Sequence, residues 1–114
     1  MNVAQVAARI LKLEGVDVLL TYPLNPLTES AAAEDIRPIV VRQERIGVHM
    51  ADAIGRLSSA DKVGVFCCQG GPGIENAFGA VAQAWSEGVP LVVIPGGPGR
   101  GGACLKPAFN ATLN

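Results

Sequence analysis

Charge of either sign is scarce in this chain, and no basic cluster occurs. Only 17% of the 114 residues are Asp, Glu, Lys or Arg, and the net charge is -1. A chain without a Lys/Arg patch offers little to a polyanion, which argues against nucleic acid and anionic membranes as partners. Aromatics are sparse too, with one Trp, one Tyr and three Phe, so stacking on bases is not expected. The longest apolar run, Val89 to Pro95, is far too short to cross a bilayer. Met1 to Val6 has neither the basic start nor the apolar core of a signal peptide. Cysteine is limited to Cys67, Cys68 and Cys104, an odd count with two of them adjacent. That pattern argues against a disulfide framework and for a reducing, cytoplasmic setting. No Cys or His pair has zinc spacing, so no metal is expected in this chain.

What remains is globular composition, 49% apolar, in a length that suits one small domain, residues 1–114. Val3 to Glu14 repeats apolar residues at helical spacing (Val3, Val6, Ala7, Ile10, Leu11), and Gly15 is a stop. Val16 to Thr21 reads as a buried strand, ended by Tyr22-Pro23. Thr28 is a candidate cap for a short helix, and Arg37 to Arg42 is a second strand. Gln43 to Leu57 reads as a helix with Ile46, Met50, Ile54 and Leu57 on a buried stripe. Val63 to Cys68 is a third strand. After Gly70-Gly71-Pro72-Gly73 comes another helix, with Ile74, Phe78, Val81 and Trp85 on one face. Gly88 closes it, and Val89 to Ile94 is a fourth strand. Met50 and Trp85 are expected in the core.

Strands that alternate with helices, each apolar on both faces, predict an α/β fold: a parallel sheet covered by helices on both faces. Ligands of such sheets bind outside the carboxyl ends of the strands. Those ends are Tyr22-Pro23, Arg42 to Glu44, Cys68 to Gly73, and Pro95 to Gly99. No helix follows strand four, so the domain is expected to be incomplete at its C-terminus.

Several residues there can carry chemistry, each with a plainer reading beside it. Gly97 to Gly102 formally satisfies G-x-G-x-x-G, but Pro107 and polar residues follow where a helix is required, so a linker is the better reading. Gly70-Gly71-Pro72-Gly73 joins a strand to a helix with proline in the first turn. It is either a close approach to a flat ligand or a tight turn. Glu44 opens a helix, where the dipole favours a carboxylate with or without a function. His49, in the helix interior, is read as packing. Cys67 and Cys68, within a strand, are read as inert thiols.

Together these pieces resemble the thiamine diphosphate enzymes, the acetolactate synthase-like branch above all. Arg42-Gln43-Glu44-Arg45-Ile46-Gly47-Val48-His49-Met50-Ala51-Asp52-Ala53-Ile54-Gly55-Arg56 is similar to R-x-E-x-x-A-x-x-M-A-D-G-Y-A-R. Gln69 to Ala77 resembles the S-G-P-G-x-x-N element, and Ala84 to Ile94 resembles A-x-x-x-x-x-P-[LV]-[VL]-x-[IL]. Gly15 to Pro23 takes the place of G-V-x-x-V-F-G-x-P-G. The resemblance implies a thiamine diphosphate-binding fold, here the N-terminal pyrimidine-binding domain. It implies that Glu44 activates the cofactor: its carboxylate would hydrogen-bond N1′ of the aminopyrimidine and favour the imino tautomer. The exocyclic nitrogen then takes the C2 proton of the thiazolium. It also implies that Tyr22, Pro23, Gln69, Gly71, Pro72 and Asn76 line the pyrimidine site.

The implied reaction is cleavage or formation of a carbon–carbon bond in a 2-oxo acid, by a lyase or transferase. Homodimers or homotetramers with the site at the subunit interface are implied as well. Diphosphate and Mg²⁺ would be bound by a module carrying G-D-G...N-N, which this sequence lacks, so the chain alone is expected to be inactive. Departures lie close to the site. Tyr22-Pro23-Leu24-Asn25 replaces the usual F-G-x-P-G, Cys68-Gln69-Gly70 stands where T-S-G is common, and Gly96-Gly97 stands where G-Q is common. These leave the donor and acceptor substrates open. A split subunit, a non-catalytic relative and a flavodoxin-like nucleotide binder remain alternative readings.

Overall fold

Eight elements alternate along the computed structural model, which describes residues 1–23 and 25–97. They are α1 (Val3–Leu13), β1 (Val18–Thr21), α2 (Leu27–Ala33), β2 (Arg37–Val40), α3 (Glu44–Leu57), β3 (Gly64–Cys68), α4 (Pro72–Ser86) and β4 (Leu91–Pro95). Helix α1 starts on a capping box: the Asn2 side chain accepts from the Gln5 amide at 2.9 Å, and the Gln5 side chain accepts from the Asn2 amide at 2.9 Å. Gly15 leaves that helix at φ 80°, a conformation glycine adopts without Cβ strain.

All strand pairs are parallel, in the order β2-β1-β3-β4. Successive strand residues face opposite sides. Leu19, Val65 and Cys67 therefore join Ala8 of α1 and Leu27 and Ala31 of α2 in one core. Leu20, Phe66 and Cys68 join Val48 and Ala51 of α3 and Ala77 and Ala80 of α4 in the other. Strand β3 is buried along its whole length, as a central parallel strand should be. The edge strands depart from the expected two-sided burial, with Val40 of β2 61% exposed. From β1 the chain crosses by α2 to β2 on one side, and from β3 by α4 to β4 on the other. The carboxyl ends of β1 and β3 thus form the topological switch point, where such sheets open a crevice.

The helices meet the sheet differently from the expectation. Ile46, Met50 and Leu57 do not form a buried stripe but stand 46%, 37% and 88% exposed. Phe78 and Trp85 are likewise exposed, Trp85 at 88%, so neither Met50 nor Trp85 is core. The buried faces are made of small residues instead: Gly47, Ala51 and Gly55 with Val48 on α3, and Gly73, Ala77, Ala80 and Ala84 on α4. The reason is close approach. A Cβ at Gly47 would overlap the Phe66 ring, and one at Gly64 would overlap the Ala51 carbonyl oxygen. Thr28 does not cap α2; its hydroxyl lies 2.8 Å from that of Thr21.

Gly64→Ala should therefore destabilise the fold by about 3 kcal/mol or more, because both clashing partners are backbone. Gly79, exposed in α4 with nothing near its Cα, should gain about 0.5–1 kcal/mol on replacement by alanine. Urea titration of the two variants checks the pair, and equal effects would refute the packing account.

Candidate functional site at the switch point

Glu44 is the first residue of α3, joined to the end of β2 by the short stretch Val41-Arg42-Gln43. The unpaired amides of that first turn favour a carboxylate there. Its side chain nevertheless points inward and is only 6% exposed. Burial of a carboxylate requires partners, and one is in reach: Asn76 of α4 donates from Nδ2 to Glu44 Oε2 at 3.4 Å. The other oxygen, Oε1, faces Gly73, where an added Cβ would stand 3.6 Å away. The same Cβ would lie 3.7 Å from Cys68 Cβ and 2.8 Å from Gln69 Cγ, so glycine keeps this ground clear. A cavity of about 250 Å³ opens here, lined by Gln43, Glu44, Arg45 and Asn76.

The loop from β3 to α4 forms the adjoining wall. Gly71 is buried at φ 64° and is the N-cap of α4, and Pro72 follows in the first turn. Gln69 is half-buried and Pro72 exposed. Tyr22, half-buried at the end of β1, packs against the core under α3 and α4, and its amide donates to the Cys67 carbonyl at 3.0 Å. The fold thus gathers Glu44, Asn76, Gln69, Gly71 and Pro72 around one corner. Pro23 lies elsewhere: it borders a second cavity of about 420 Å³ with Thr21, Asn25, Pro26, Thr28, Glu29 and Val40. Sequence reasoning gave no role to Gln43 and Arg45, although both line the cavity beside Glu44.

The two thiols of β3 are fully buried and free. Cys67 is surrounded by hydroxyls, with its sulfur 3.2 Å from Thr21 Oγ1, and burial pushes its pKa up. Cys68 is pushed up to about 11 by burial, by the charge of Glu44 and by Cys67. His49 is half-buried on α3. Cys104 and the Gly97 to Gly102 loop beyond its first glycine lie outside the described residues. Among the described residues no cluster of His, Cys, Asp or Glu is placed to hold a metal ion, and no helix is long and apolar enough to cross a membrane.

A model of the thiamine pyrophosphate enzymes, N-terminal TPP binding domain, matches residues 1–110. This chain belongs to that family. Within it, the chain is 35% identical over 97 residues to the acetolactate synthase large subunit of Haemophilus influenzae, covering 82% of this chain and 17% of that protein. It is 36% identical over 95 residues to 2-hydroxyacyl-CoA lyase 2 of Xenopus laevis, covering 81% and 14%. Among solved structures, benzoylformate decarboxylase from Polynucleobacter necessarius superposes with a TM-score of 0.77 at 20% identity. The match covers 96% of this chain and 21% of that one, and shows the fold. The chain therefore spans about a sixth of its acetolactate synthase relative, and the fold and family expected from the motifs are those found.

A thiol with a raised pKa favours folding while it stays protonated. Cys68 has an ordinary value of 9.0 and a folded value of about 11, so its contribution is complete below pH 9 and is lost as pH rises to about 11. Stability should fall across that window, and Cys68→Ala should flatten the fall. Denaturant melts at about pH 8, 9, 10 and 11 check this, and an identical slope in the variant would refute it.

Proposed function

We propose that residues 1–114 form the pyrimidine-binding domain of a thiamine diphosphate-dependent enzyme acting on 2-oxo acids, with Glu44 activating the cofactor. The observation that carries the reading is a buried carboxylate, Glu44, that follows β2, reaches in beside the switch point and keeps one oxygen over a glycine. An aminopyrimidine suits this corner. It is flat, which the bare Gly71-Pro72-Gly73 turn accommodates, and its ring nitrogen is a hydrogen-bond partner for a carboxylate oxygen. Asn76 would hold Glu44 in place through Oε2, leaving Oε1 for that nitrogen. Gln69 would border the exocyclic amine, and Tyr22 would support the loop from beneath. Pro23 would act from the mouth of the neighbouring cavity. When bound, thiamine diphosphate supplies the carbanion chemistry of 2-oxo acid cleavage and condensation, and this chain's part is to place a proton carrier. Acetolactate synthase, 2-hydroxyacyl-CoA lyase and benzoylformate decarboxylase are names that share carbon–carbon bond chemistry next to a carbonyl.

Diphosphate and Mg²⁺ would be held by a second module carrying the G-D-G...N-N pattern. The partner would be a second copy, with the site at the interface of a homodimer or homotetramer in the cytoplasm. Ile46, Met50 and Leu57, exposed along α3 from two residues beyond Glu44, support such a contact. A complete enzyme that sediments as a fully active monomer would remove it.

In the enzyme that carries both modules, Glu44→Gln should preserve folding and slow exchange of the cofactor C2 proton by about 100-fold or more. Proton NMR in D₂O measures this, and unchanged exchange would take Glu44 out of the mechanism. The 114-residue chain alone should show no turnover of a 2-oxo acid, even with thiamine diphosphate and Mg²⁺ added. Any turnover sinks the two-module arrangement.

A further inference from the structure

One buried polar side chain near the site has no part in the proposed function. Asn25, in the loop between β1 and α2, is 8% exposed. Its Nδ2 donates to the carbonyl of Cys68 at 2.9 Å and to the carbonyl of Ile94 at 3.2 Å. Its Oδ1 accepts from the Leu27 amide at 3.0 Å. These partners decide the orientation. A flipped amide would set its oxygen against two carbonyls and its nitrogen against an N–H.

Cys68 is the last residue of β3, and Ile94 is next to last in β4. The Cys68 carbonyl also accepts from the Gly96 amide at 2.7 Å, so both of its lone pairs are used. Two residues on, Gly70 lies so near the chain leaving β4 that a Cβ would overlap the Gly96 carbonyl oxygen. The ends of β3 and β4 therefore converge on one carboxamide, carried by the loop that leaves β1. From Cys68 the chain runs into the loop that ends in Gly73, whose Cα faces Glu44 Oε1, and Asn76 lies one turn further along α4.

We infer that Asn25 is a positioning residue: it ties the carboxyl ends of β3 and β4 to the loop that leaves β1 and so fixes the glycine loop that Glu44 faces. Its bearing on catalysis rests on the proposed role of Glu44; the tie itself does not.

The plainer role for Asn25 is an Asx turn that starts α2, which needs only Oδ1. The two roles separate cleanly. Asn25→Asp keeps the accepting oxygen and removes both donors, and Asn25→Ser keeps a shorter acceptor while removing the amide that reaches the two carbonyls, should the aspartate variant fail to fold. The experiment is amide hydrogen exchange by NMR on the 114-residue chain without cofactor. In the unsubstituted chain the Asn25 carboxamide protons should exchange more slowly than those of exposed Asn2. In either variant, protection at Gly96, whose amide is held by the Cys68 carbonyl, should fall about tenfold or more relative to Leu20 and Val41, and the amide resonances of Gly70, Gly71 and Gly73 and the Asn76 side-chain amide should shift. Uniform loss across the chain, or no selective loss at Gly96, would overturn the tie and leave only the Asx turn. So would an Asn25 carboxamide that exchanges as fast as Asn2. Because no cofactor enters, failure of the proposed Glu44 role would appear only in C2 exchange and leave this result standing.

Discussion

Helices α3 and α4 reach the sheet on glycine and alanine, and the depth of Glu44 follows from that contact. Gly47 lies against the Phe66 ring and the Ala51 carbonyl against Gly64, so α3 has neither room to move closer nor a side chain to hold it off. Residues three apart on a helix share a face. Glu44, three before Gly47, is carried down by the same contact. A bulkier residue at position 47 would lift the start of α3 and return the carboxylate to solvent. The same holds for α4, where Gly73, Ala77 and Ala80 bring Asn76 near enough to donate to Glu44. The site is thus a consequence of how closely α3 approaches β3 and α4 packs against α3.

Helix α3 buries a second carboxylate, and the contrast between the two is informative. Asp52, 4% exposed, is paired with Arg56 one turn later, and Arg56 also binds Glu87 at the end of α4. Two carboxylates hold that guanidinium firmly charged. The pair links α3 to the end of α4, although Asp52 Oδ1 has no partner among the described residues. Glu44 makes no ion pair among the described residues and has only the long bond from Asn76. Asp52 too leaves one oxygen without a partner, but its charge is neutralised by arginine, and that of Glu44 is not. This difference in partners, more than burial, separates a structural acid from a candidate catalytic one.

Element order, the parallel sheet and the corner around Glu44 were legible because they rest on short-range signals. Periodicity marks helices, β-branched runs mark strands, and the R-x-E and G-P-G patterns sit at strand ends. The buried faces of α3 and α4 were misread because apolar periodicity weighs side-chain size. Ile46, Met50, Phe78 and Trp85 outweigh Gly47, Ala51, Ala77 and Ala80 on any such scale. What decides burial here is how little stands between helix and sheet, and a stripe of small residues at i, i+4 and i+8 (Gly47, Ala51, Gly55) carried that signal. Asn25 was missed for another reason. Its partners Cys68 and Ile94 lie 43 and 69 residues away, and no local pattern announces a contact of that range.

Under the proposed function, the same geometry bears on why such a site would be divided between modules. Thiamine diphosphate makes opposite demands at its two ends. The aminopyrimidine needs a carboxylate acceptor in a place water does not reach, and the diphosphate needs cations and open coordination. A helix start that buries Glu44 beside apolar β3 would meet the first demand. Diphosphate at the same corner would set its negative charge against that of Glu44 in a medium that screens poorly. Holding the two ends on separate sheets allows each to be tuned alone. It would leave this chain one electrostatic task at the site, to keep Glu44 buried, oriented and short of partners.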